Sequence, residues 1–543
     1  MPILRSLLSV VAFVTPALLA GQSASRITTD EIDGHLRFLS SDLLEGRAPA
    51  TRGGRLAAEY IASQLRAAGV EAGANGSYFQ TVPIDVVAAD PASIHATASG
   101  RSTAALRYPD DVVVWAGSAT DVSAARGELV FVGYGAVAPE YAWDDFKGVD
   151  VRGKILMVLV NDPPAPDAEP TLFGGKAMTY YGRWTYKFEE AARRGAAGML
   201  IVHTTAQAGY PWHTVVGSWA KEQRMLPRDP MLPAPLGVSG WITDESAATL
   251  LRSAGLDFAA LRAQAATRAF RPIATGIMLD IGFRNTVQHL SSENVVGVVR
   301  GRDAMLRKEY VALSAHWDHH GIGPAVNGDS IYNGANDNAS GVADLLAVAR
   351  AAATAARPKR SLLFVFVTAE ESGLLGSAYF AQRPTVPAAQ IVANLNVDGG
   401  NLLGRTRDLN VLGDTKSSLG PQLAAMVHGD GMRISADLHP EAGHFYRSDH
   451  FSFAKAGIPA VSIGAGTDVV GKPAGWGAQQ DDDYTAHRYH QPSDEYRPDF
   501  DLTGAAQLSE IVLRFARQLA NAPGVPTWNR DAEFRATRRA PQP

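Results

Sequence analysis

Two segments near the start of the chain carry apolar residues at the spacing of an amphipathic helix. The first has a polar cap and then apolar positions three and four residues apart: Thr29 and Asp30, followed by Ile32, Leu36 and Leu39. The second repeats this spacing and stops at a glycine: Leu56, Tyr60, Ile61 and Leu65, followed by Gly69. The pattern therefore predicts two helices within residues 27–85.

The pattern changes between Val87 and Asn285. Short apolar runs separated by Gly and Pro, such as Leu129–Val132 and Ile155–Val160, are typical of β-strands. One helix is predicted near Tyr186–Arg194, and it leads into a further strand at Met199–Val202. Residues 87–285 contain no cluster of ligand-type residues at short spacing. We predict that they form a β-rich domain of their own.

From residue 286 onward, apolar strand runs alternate with amphipathic helices. The predicted strands are Tyr310–Ser314, Leu362–Val367, Ala393–Val397 and Ile458–Ile463, and the predicted helices are Val342–Ala353, Gln422–His428 and Leu502–Leu519. Apolar strands between helices indicate a mostly parallel mixed sheet covered by helices on both faces. We therefore predict an α/β domain built from residues 27–85 and 286–522. Residues 523–543, rich in Pro, Arg and Ala, are predicted to be a loosely held tail.

The composition of the chain excludes several kinds of partner and functional site. The chain of 543 residues is 46% apolar, which is enough for large buried cores, and its 50 basic and 55 acidic residues give a net charge of −5. No long basic run is present that would follow a phosphate backbone, so we expect no nucleic-acid partner. The chain has no cysteine. Disulfides, thiolate catalysis and cysteine–zinc sites are therefore excluded, and any metal must be bound by His, Asp and Glu.

The first residues have the composition of an export signal. Arg5 supplies a positive charge, Leu7 to Leu19 is mostly apolar, and small residues follow from Ala20 to Ser25. A membrane anchor is the alternative, but this run has about 13 residues and a bilayer needs roughly 20. We expect residues 1–25 to be a signal peptide cleaved within Ala20–Ser25. The mature protein would then be periplasmic or secreted, without stable membrane insertion.

Groups that can bind metal follow several of the predicted strands. The first strand runs into His316 and Asp318, the second into Glu370 and Glu371, and the third into Asp398. Ligands of open α/β sheets bind at the carboxyl ends of the strands, so these side chains are expected to share one rim. Two further candidates are Asp337, in a Gly-rich turn before a helix, and His490, late in the chain.

Each of these residues also has an ordinary structural explanation. A single His after a strand is often a hydrogen-bonded core residue, a Glu-Glu pair is usually solvated, and Asp337 could cap the following helix. The argument for function is their coincidence, because carboxylates buried together repel one another and need a neutralising charge. A divalent cation supplies that charge, and oxygen with imidazole ligands suits zinc.

Six motifs in this part of the chain resemble those of exported bacterial di-zinc aminopeptidases, relatives of glutamate carboxypeptidase that carry an inserted protease-associated domain. The motifs are SAHWDHHG, NGANDNASG, TAEESGLLGS, NVDGG, YRSDHFSFAKAGIP and RYHQPSDEY. The opening FLSSDLLEGR is similar to the N-terminal piece of that family, and residues 110–275 are similar to its inserted domain. The resemblance implies a zinc-dependent exopeptidase fold with residues 87–285 as the insertion.

The resemblance also implies roles for individual residues. Two zinc ions per chain would be bound, one by His316 and Asp398 and the other by Glu371 and His490, with Asp337 bridging them. Glu370 would be the general base acting on the water held between the metals. Asp318 would orient the His316 ring, and Tyr489 would stabilise the oxyanion. His319 and His320 receive no role.

The expected activity is hydrolysis of N-terminal residues from peptides. Related scaffolds also support carboxypeptidase and glutaminyl cyclase chemistry, and these remain alternatives. An inactive, receptor-like binding protein is a third alternative, although every expected ligand position and the base position are filled. The sequence leaves open the side-chain preference, the role of the inserted domain and the oligomeric state.

Overall fold

The computed structural model describes residues 26–537, so the predicted signal peptide lies outside the described part. Both predicted N-terminal helices are present, and two strands follow them. These elements are α1 (Thr29–Leu39), α2 (Arg52–Ala67), β1 (Glu71–Ala72) and β2 (Phe79–Ala89). No helix among residues 26–537 is long and apolar enough to cross a lipid bilayer.

The caps and buried faces of these two helices differ slightly from the prediction. Thr28, not Thr29, is the N-cap of α1, because its backbone is extended and its hydroxyl accepts a hydrogen bond from the Glu31 amide at 3.3 Å. In α2 the side chain of Leu56 is 39% exposed. The buried face is instead turned toward Ala57, Ile61 and Leu65.

Residues from His95 to Ala265 supply a second set of strands and five helices. The strands are β3 (His95–Ser99), β4 (Thr103–Ala105), β5 (Val112–Ala116), β6 (Val122–Phe131), β7 (Val137–Ala138), β8 (Trp143–Asp144), β9 (Ile155–Leu159), β10 (Gly198–His203), β11 (Gln223–Met225) and β12 (Val238–Thr243). The helices are α3 (Trp184–Arg193), α4 (Thr205–Ala208), α5 (Trp212–Trp219), α6 (Asp244–Ser253) and α7 (Phe258–Ala265).

One long strand, β13 (Ile273–Val299), belongs to two sheets. Residues 273–284 pair with β3 and β6, and they extend a mixed sheet in the order β5-β12-β10-β9-β6-β13-β3-β4. Residues 285–299 pair instead with β2, β1 and a later strand. The change of partner at Arg284–Asn285 makes residues 95–284 a β-rich unit, which we call the intervening unit.

The rest of the chain forms the second sheet and its helices. Its elements are β14 (Tyr310–His316), β15 (Gly321–Val326), β16 (Asp329–Tyr332), α8 (Gly341–Thr354), β17 (Ser361–Val367), α9 (Leu375–Gln382), β18 (Ile391–Asn396), β19 (Asp408–Leu412), α10 (Leu419–His428), β20 (Arg433–Ser435), α11 (His450–Lys455), β21 (Ala460–Ala465), α12 (Trp476–His487) and α13 (Thr503–Asn521). Every strand and helix predicted after residue 286 is present, with bounds that differ by a few residues.

The second sheet has parallel strands at its centre and antiparallel pairings on both sides of them. Its order is β11-β2-β13-β17-β14-β18-β21-β19-β20, and β17, β14, β18 and β21 run parallel. Alternate residues of β14 face opposite sides. Val311 and Leu313 pack with α1, α8 and α13, whereas Ala312 packs with Phe380 of α9 and Phe453 of α11. The predicted α/β class, with helices on both faces, is confirmed.

The segment after α13 is more ordered than the sequence suggested. Trp528 is 8% exposed and Phe534 is 5% exposed, and both belong to the apolar cluster on the α9–α11 face. The Trp528 indole donates a hydrogen bond to the Gly457 carbonyl at 2.8 Å. The prediction of a loosely held tail is therefore wrong for residues 523–537, because two large aromatic side chains anchor them.

Candidate metal centre

The predicted ligands from three strands meet because those strands are parallel neighbours. The strand β14 lies between β17 and β18, so the carboxyl ends of all three strands open on the same rim. His316 is the last residue of β14, Glu371 follows β17, and Asp398 follows β18. Their arrangement follows directly from the sheet order.

Asp337 enters from the turn Ala335–Ser340, which leads into α8. The buried carboxylate of Asp494 holds this turn in place. It accepts hydrogen bonds from the amide of Asn336 at 3.0 Å and from the amide of Asp337 at 3.1 Å, and a third from the Tyr484 hydroxyl at 3.1 Å. Asp494 lies in the RYHQPSDEY motif but was given no role from the sequence.

The five predicted ligands form two groups that share Asp337. In the first group, Nε2 of His316 lies 3.2 Å from Oδ1 of Asp337 and 3.2 Å from Oδ1 of Asp398. In the second group, Nε2 of His490 lies 3.3 Å from Oδ2 of Asp337 and 3.2 Å from Oε2 of Glu371. Each oxygen of the Asp337 carboxylate therefore faces a different imidazole.

These spacings fit metal coordination. Zinc binds nitrogen and oxygen at about 2.0–2.2 Å in a tetrahedron, so adjacent ligand atoms lie about 3.3 Å apart. The four separations of 3.2–3.3 Å match the edges of such tetrahedra. The donor set of carboxylates and imidazoles also suits zinc. The residues present therefore fit two ions with a shared carboxylate.

The charges of the site also favour bound cations. Burial and the neighbouring carboxylates Glu371 and Asp398 raise the pKa of Glu370 well above its usual range, although His316 opposes this rise. Burial lowers the pKa of His490, but its contacts with Asp337 and Glu371 outweigh burial and raise the pKa to about 10. The cluster therefore attracts positive charge, which bound cations would supply.

Glu370 belongs to neither ligand group. It is partly buried and lines the cleft above the two groups, together with Glu371 and His490. A carboxylate beside the ligands but outside both groups is free to exchange a proton, which is the arrangement that a general base requires.

Asp318 makes different contacts from those predicted. Its carboxylate oxygen Oδ1 lies 3.9 Å from Nδ1 of His316, too far for a hydrogen bond, while its backbone carbonyl lies 3.2 Å from the same nitrogen. The Asp318 carboxylate instead accepts hydrogen bonds from the amides of Glu370 at 3.1 Å and Glu371 at 3.4 Å. The carbonyl thus orients the His316 ring, and the carboxylate fixes the Glu-Glu pair.

The remaining aromatic residues of the site surround His490 and Glu371. The Tyr489 ring stacks on the His490 ring with centroids 3.8 Å apart, and Tyr489 is 38% exposed. Nδ1 of His319 lies 2.6 Å from Oε1 of Glu371, and the His320 ring meets His490 edge-on at 4.4 Å. His319 and His320, which had no predicted role, therefore enclose the second ligand group.

Arg47 is a buried residue of the site that sequence reasoning missed. Its guanidinium donates to the carbonyls of Trp317 at 2.8 Å, Gly334 at 3.1 Å and Leu39 at 2.6 Å, and also to that of Asn333. These bonds join α1 to the segments that follow β14 and precede Asp337. The available signal was an Arg at the end of the FLSSDLLEGR motif.

The site opens into a large cleft between the second sheet and the intervening unit. The cleft has a volume of about 2230 Å³. Glu370, Tyr489 and His490 line one side, and Trp184 and Tyr210 of the intervening unit line the other. The cleft is large enough for several residues of a peptide.

The fold and site define an α/β domain with a buried carboxylate–imidazole centre at the carboxyl edge of a partly parallel sheet. The family model described as Peptidase family M28 matches residues 294–516, which include all the predicted ligands. This part of the chain is similar to that peptidase family.

Curated relatives match shorter stretches of the chain. A probable leucine aminopeptidase 2 of Aspergillus oryzae is 26% identical over 278 residues, which are 46% of this chain and 50% of the relative. Leupeptin-inactivating enzyme 1 of Streptomyces exfoliatus is 32% identical over 146 residues, 26% of this chain and 32% of that protein. The chain thus spans about half the length of the first relative and about a third of the second.

Among solved structures, an aminopeptidase from Aneurinibacillus sp. strain AM-1 aligns over 93% of this chain and 96% of its own. Its sequence identity is 20% and its TM-score is 0.47.

Proposed function

We propose that this protein is an exported zinc metallopeptidase that removes N-terminal residues from peptides. The observation that carries the proposal is the Asp337 carboxylate, whose two oxygens each face a separate imidazole. This geometry supports two metal ions that share one bridging ligand. The name leucine aminopeptidase, borne by the Aspergillus relative, supports release of the N-terminal residue.

In the proposed site, His316 and Asp398 would hold one zinc ion, Glu371 and His490 would hold the other, and Asp337 would be the ligand that both share. Bound zinc ions lower the pKa of water toward about 7 and polarise the scissile carbonyl. The chain must keep the five ligands in place, and the contacts of Asp494 and Arg47 with the Asp337 turn support that requirement.

Glu370 acts as the general base and then as the general acid. Its carboxylate takes a proton from the attacking water and delivers it to the nitrogen of the leaving amine. Burial and the neighbouring carboxylates raise the pKa of Glu370, which makes it a stronger base than a free carboxylate. Tyr489 lines the same cleft, and its hydroxyl donates a hydrogen bond to the oxyanion that develops on the carbonyl oxygen.

The test is a profile of the products released from defined peptides by zinc-loaded protein. We expect stepwise release of single residues from peptides with a free N-terminus, and none from matched N-acetylated peptides. Release from the C-terminus of acetylated peptides would indicate a carboxypeptidase. Conversion of N-terminal Gln to pyroglutamate without hydrolysis would indicate a cyclase. Peptide binding without turnover would indicate an inactive, receptor-like protein.

Export is part of the same proposal. It rests on the positive charge at Arg5, the apolar run and the small residues within Ala20–Ser25. Mass spectrometry of protein secreted by its native host should find a mature N-terminus between Gly21 and Arg26. An intact Met1 on periplasmic or secreted protein would contradict export.

A further inference from the structure

Two arginines in the cleft face the proposed catalytic groups without an acidic partner. Arg183 precedes α3 in the intervening unit, and Arg447 precedes α11 in the other part of the fold. Both line the cleft that contains Glu370, Tyr489 and His490. Within residues 26–537 neither arginine lies in an ion pair, and no residue there accepts a hydrogen bond from Nε of Arg183, which is buried.

Other cations that line this cleft are paired. Arg193 lies 2.8 Å from Glu190, and Lys455 lies 2.6 Å from Glu189. The cleft therefore contains basic groups that pair with glutamates beside the two arginines that have no such partner. An unpaired guanidinium held away from water is costly, and Nε of Arg183 is buried, so an anion beside Arg183 would be favourable. Arg447 is exposed to the cleft and carries a second positive charge there.

Arg183 and Arg447 line the same cleft. Burial and, next, the nearby charge of Arg447 lower the pKa of Arg183 to about 10. Tyr210 of the intervening unit lines the same cleft, and Arg183 and Arg447 oppose the rise that burial causes in its pKa. Tyr489 lines this cleft as well. Together, the two guanidinium groups and one hydroxyl form a cationic subsite adjoining the proposed catalytic centre.

We propose that Arg183 and Arg447 bind a carboxylate of the peptide substrate. This inference rests on the proposed peptidase function and extends it to the substrate class, namely peptides that present a carboxylate a short distance from the bond to be cut. Arginine binds carboxylates through paired, charge-assisted hydrogen bonds. The carboxylate comes either from the C-terminus of a short peptide or from an acidic side chain. Because the subsite draws on both units, the intervening unit contributes directly to substrate selection.

The test compares peptides that differ only in one carboxylate. One pair is Leu-Ala-Ala with a free or an amidated C-terminus, and the other is amidated Leu-Glu-Ala and amidated Leu-Gln-Ala. At least one carboxylate-bearing peptide should have a kcat/KM at least about tenfold above that of its neutral partner, mainly through a lower KM. The pair that shows the advantage identifies the source of the carboxylate.

The advantage should fall to near unity in Arg447→Gln and in Arg183→Gln. Arg193→Gln is the matched control, because this arginine lines the same cleft but already pairs with Glu190, so the advantage should persist. If Arg183→Gln loses thermal stability, Arg183→Lys keeps a charge but loses the paired geometry and should reduce the advantage in part. An equal kcat/KM for both members of each pair in the wild type, or an undiminished advantage in Arg447→Gln, would overturn the inference.

Calorimetry with the Glu370→Gln protein measures peptide binding without cleavage of the peptide. The same peptides should bind more tightly when they carry the carboxylate, and Arg447→Gln added to this background should remove the difference. If peptides are cleaved with no carboxylate preference, the subsite inference fails and the peptidase function stands. If none is cleaved but binding still depends on Arg447 and the carboxylate, the peptidase function fails and the subsite stands. Absence of any carboxylate-dependent binding overturns the subsite.

Discussion

Glu370 and Glu371 are adjacent in the sequence, yet their surroundings differ. Glu371 lies 3.2 Å from Nε2 of His490 and completes a group of three ligand atoms with Asp337. Glu370 belongs to neither ligand group and lines the cleft. The sequence could assign their roles only through family resemblance, since two neighbouring carboxylates give no local signal that separates a ligand from a base.

Substitution of Glu370 separates catalysis from metal binding. Glu370→Gln keeps the shape of the side chain but removes its ability to accept a proton, so kcat should fall by at least about 100-fold. Zinc content and melting temperature should stay at the wild-type level because no ligand is lost. Steady-state kinetics, elemental analysis and thermal unfolding measure the three quantities.

Glu371→Gln is the matched control for that experiment. It should lower zinc content, and activity should return in part with excess zinc. Loss of zinc in Glu370→Gln together with its retention in Glu371→Gln would reverse the two roles, and full activity in both variants would refute the proposed mechanism.

Tyr489 tests the oxyanion role. Tyr489→Phe keeps the ring that stacks on His490 but removes the hydroxyl. If the hydroxyl donates to the transition state, kcat and kcat/KM should both fall about 100-fold while zinc content is unchanged. An unchanged kcat would show that Tyr489 only supports the His490 ring.

At the scale of elements, the turns that carry the ligands are fixed by long-range hydrogen bonds. Arg47, at the end of a short helical turn after α1, bonds to carbonyls of the segments beside His316 and Asp337. Asp494 binds the Asp337 turn from the opposite side. The N-terminal helices therefore help to build a site whose ligands lie some 270 or more residues further along the chain.

Removal of the Arg47 guanidinium should loosen the site. Arg47→Met leaves buried carbonyls without donors, so we expect a loss of at least about 3 kcal/mol in the free energy of unfolding and weaker zinc binding. Arg52→Met is the control, because the side chain of Arg52 is 71% exposed and pairs with Glu45 at 3.4 Å, and the change should stay within about 0.5 kcal/mol. Chemical denaturation and zinc titration measure both effects. Equal, small losses in the two variants would show that Arg47 is not a positioning residue.

The elements themselves were predictable because their signal is local. Apolar runs gave β14 and β17, and periodicity gave α1 and α8, with small errors at caps and ends. Of the five helices between Trp184 and Ala265, however, only α3 was predicted. The convergence of His316, Glu371 and Asp398 followed from the parallel order of their strands. The contacts of Arg47, Asp494 and the Asp318 carboxylate were not predictable, because they depend on how distant segments pack.

At the scale of the whole molecule, the two units are joined by more than the shared strand β13. Tyr180 of the intervening unit packs against Tyr446 and Phe451, with ring centroids 5.9 and 5.1 Å apart, and against Phe534 at 5.8 Å. The C-terminal segment thus takes part in the contact between the units. The prediction of a loosely held tail rested on the overall composition of this segment, which is rich in Pro, Arg and Ala. Two aromatic residues change that composition little, although they anchor the segment.

Truncation of one anchor should weaken the whole fold. Trp528→Ala removes a side chain that is 8% exposed and its hydrogen bond to Gly457, so we expect a loss of about 3–5 kcal/mol in the free energy of unfolding. Val525→Ala is the control, since Val525 is 41% exposed and its loss should cost no more than about 0.5 kcal/mol. Denaturant unfolding of both variants measures the difference. Similar stabilities would mean that the segment contributes nothing to the fold.

The most direct measurement is the zinc content of the wild type, Asp337→Ala and His316→Ala proteins under zinc-replete conditions. Asp337 offers one oxygen to each ligand group, whereas His316 belongs to only one group. The account predicts about two zinc ions per wild-type chain, the number that a two-metal site requires. His316→Ala should chiefly weaken one site, and Asp337→Ala should weaken both. A wild-type ratio near one, or an Asp337→Ala protein that keeps both ions tightly bound, would contradict the shared-carboxylate site.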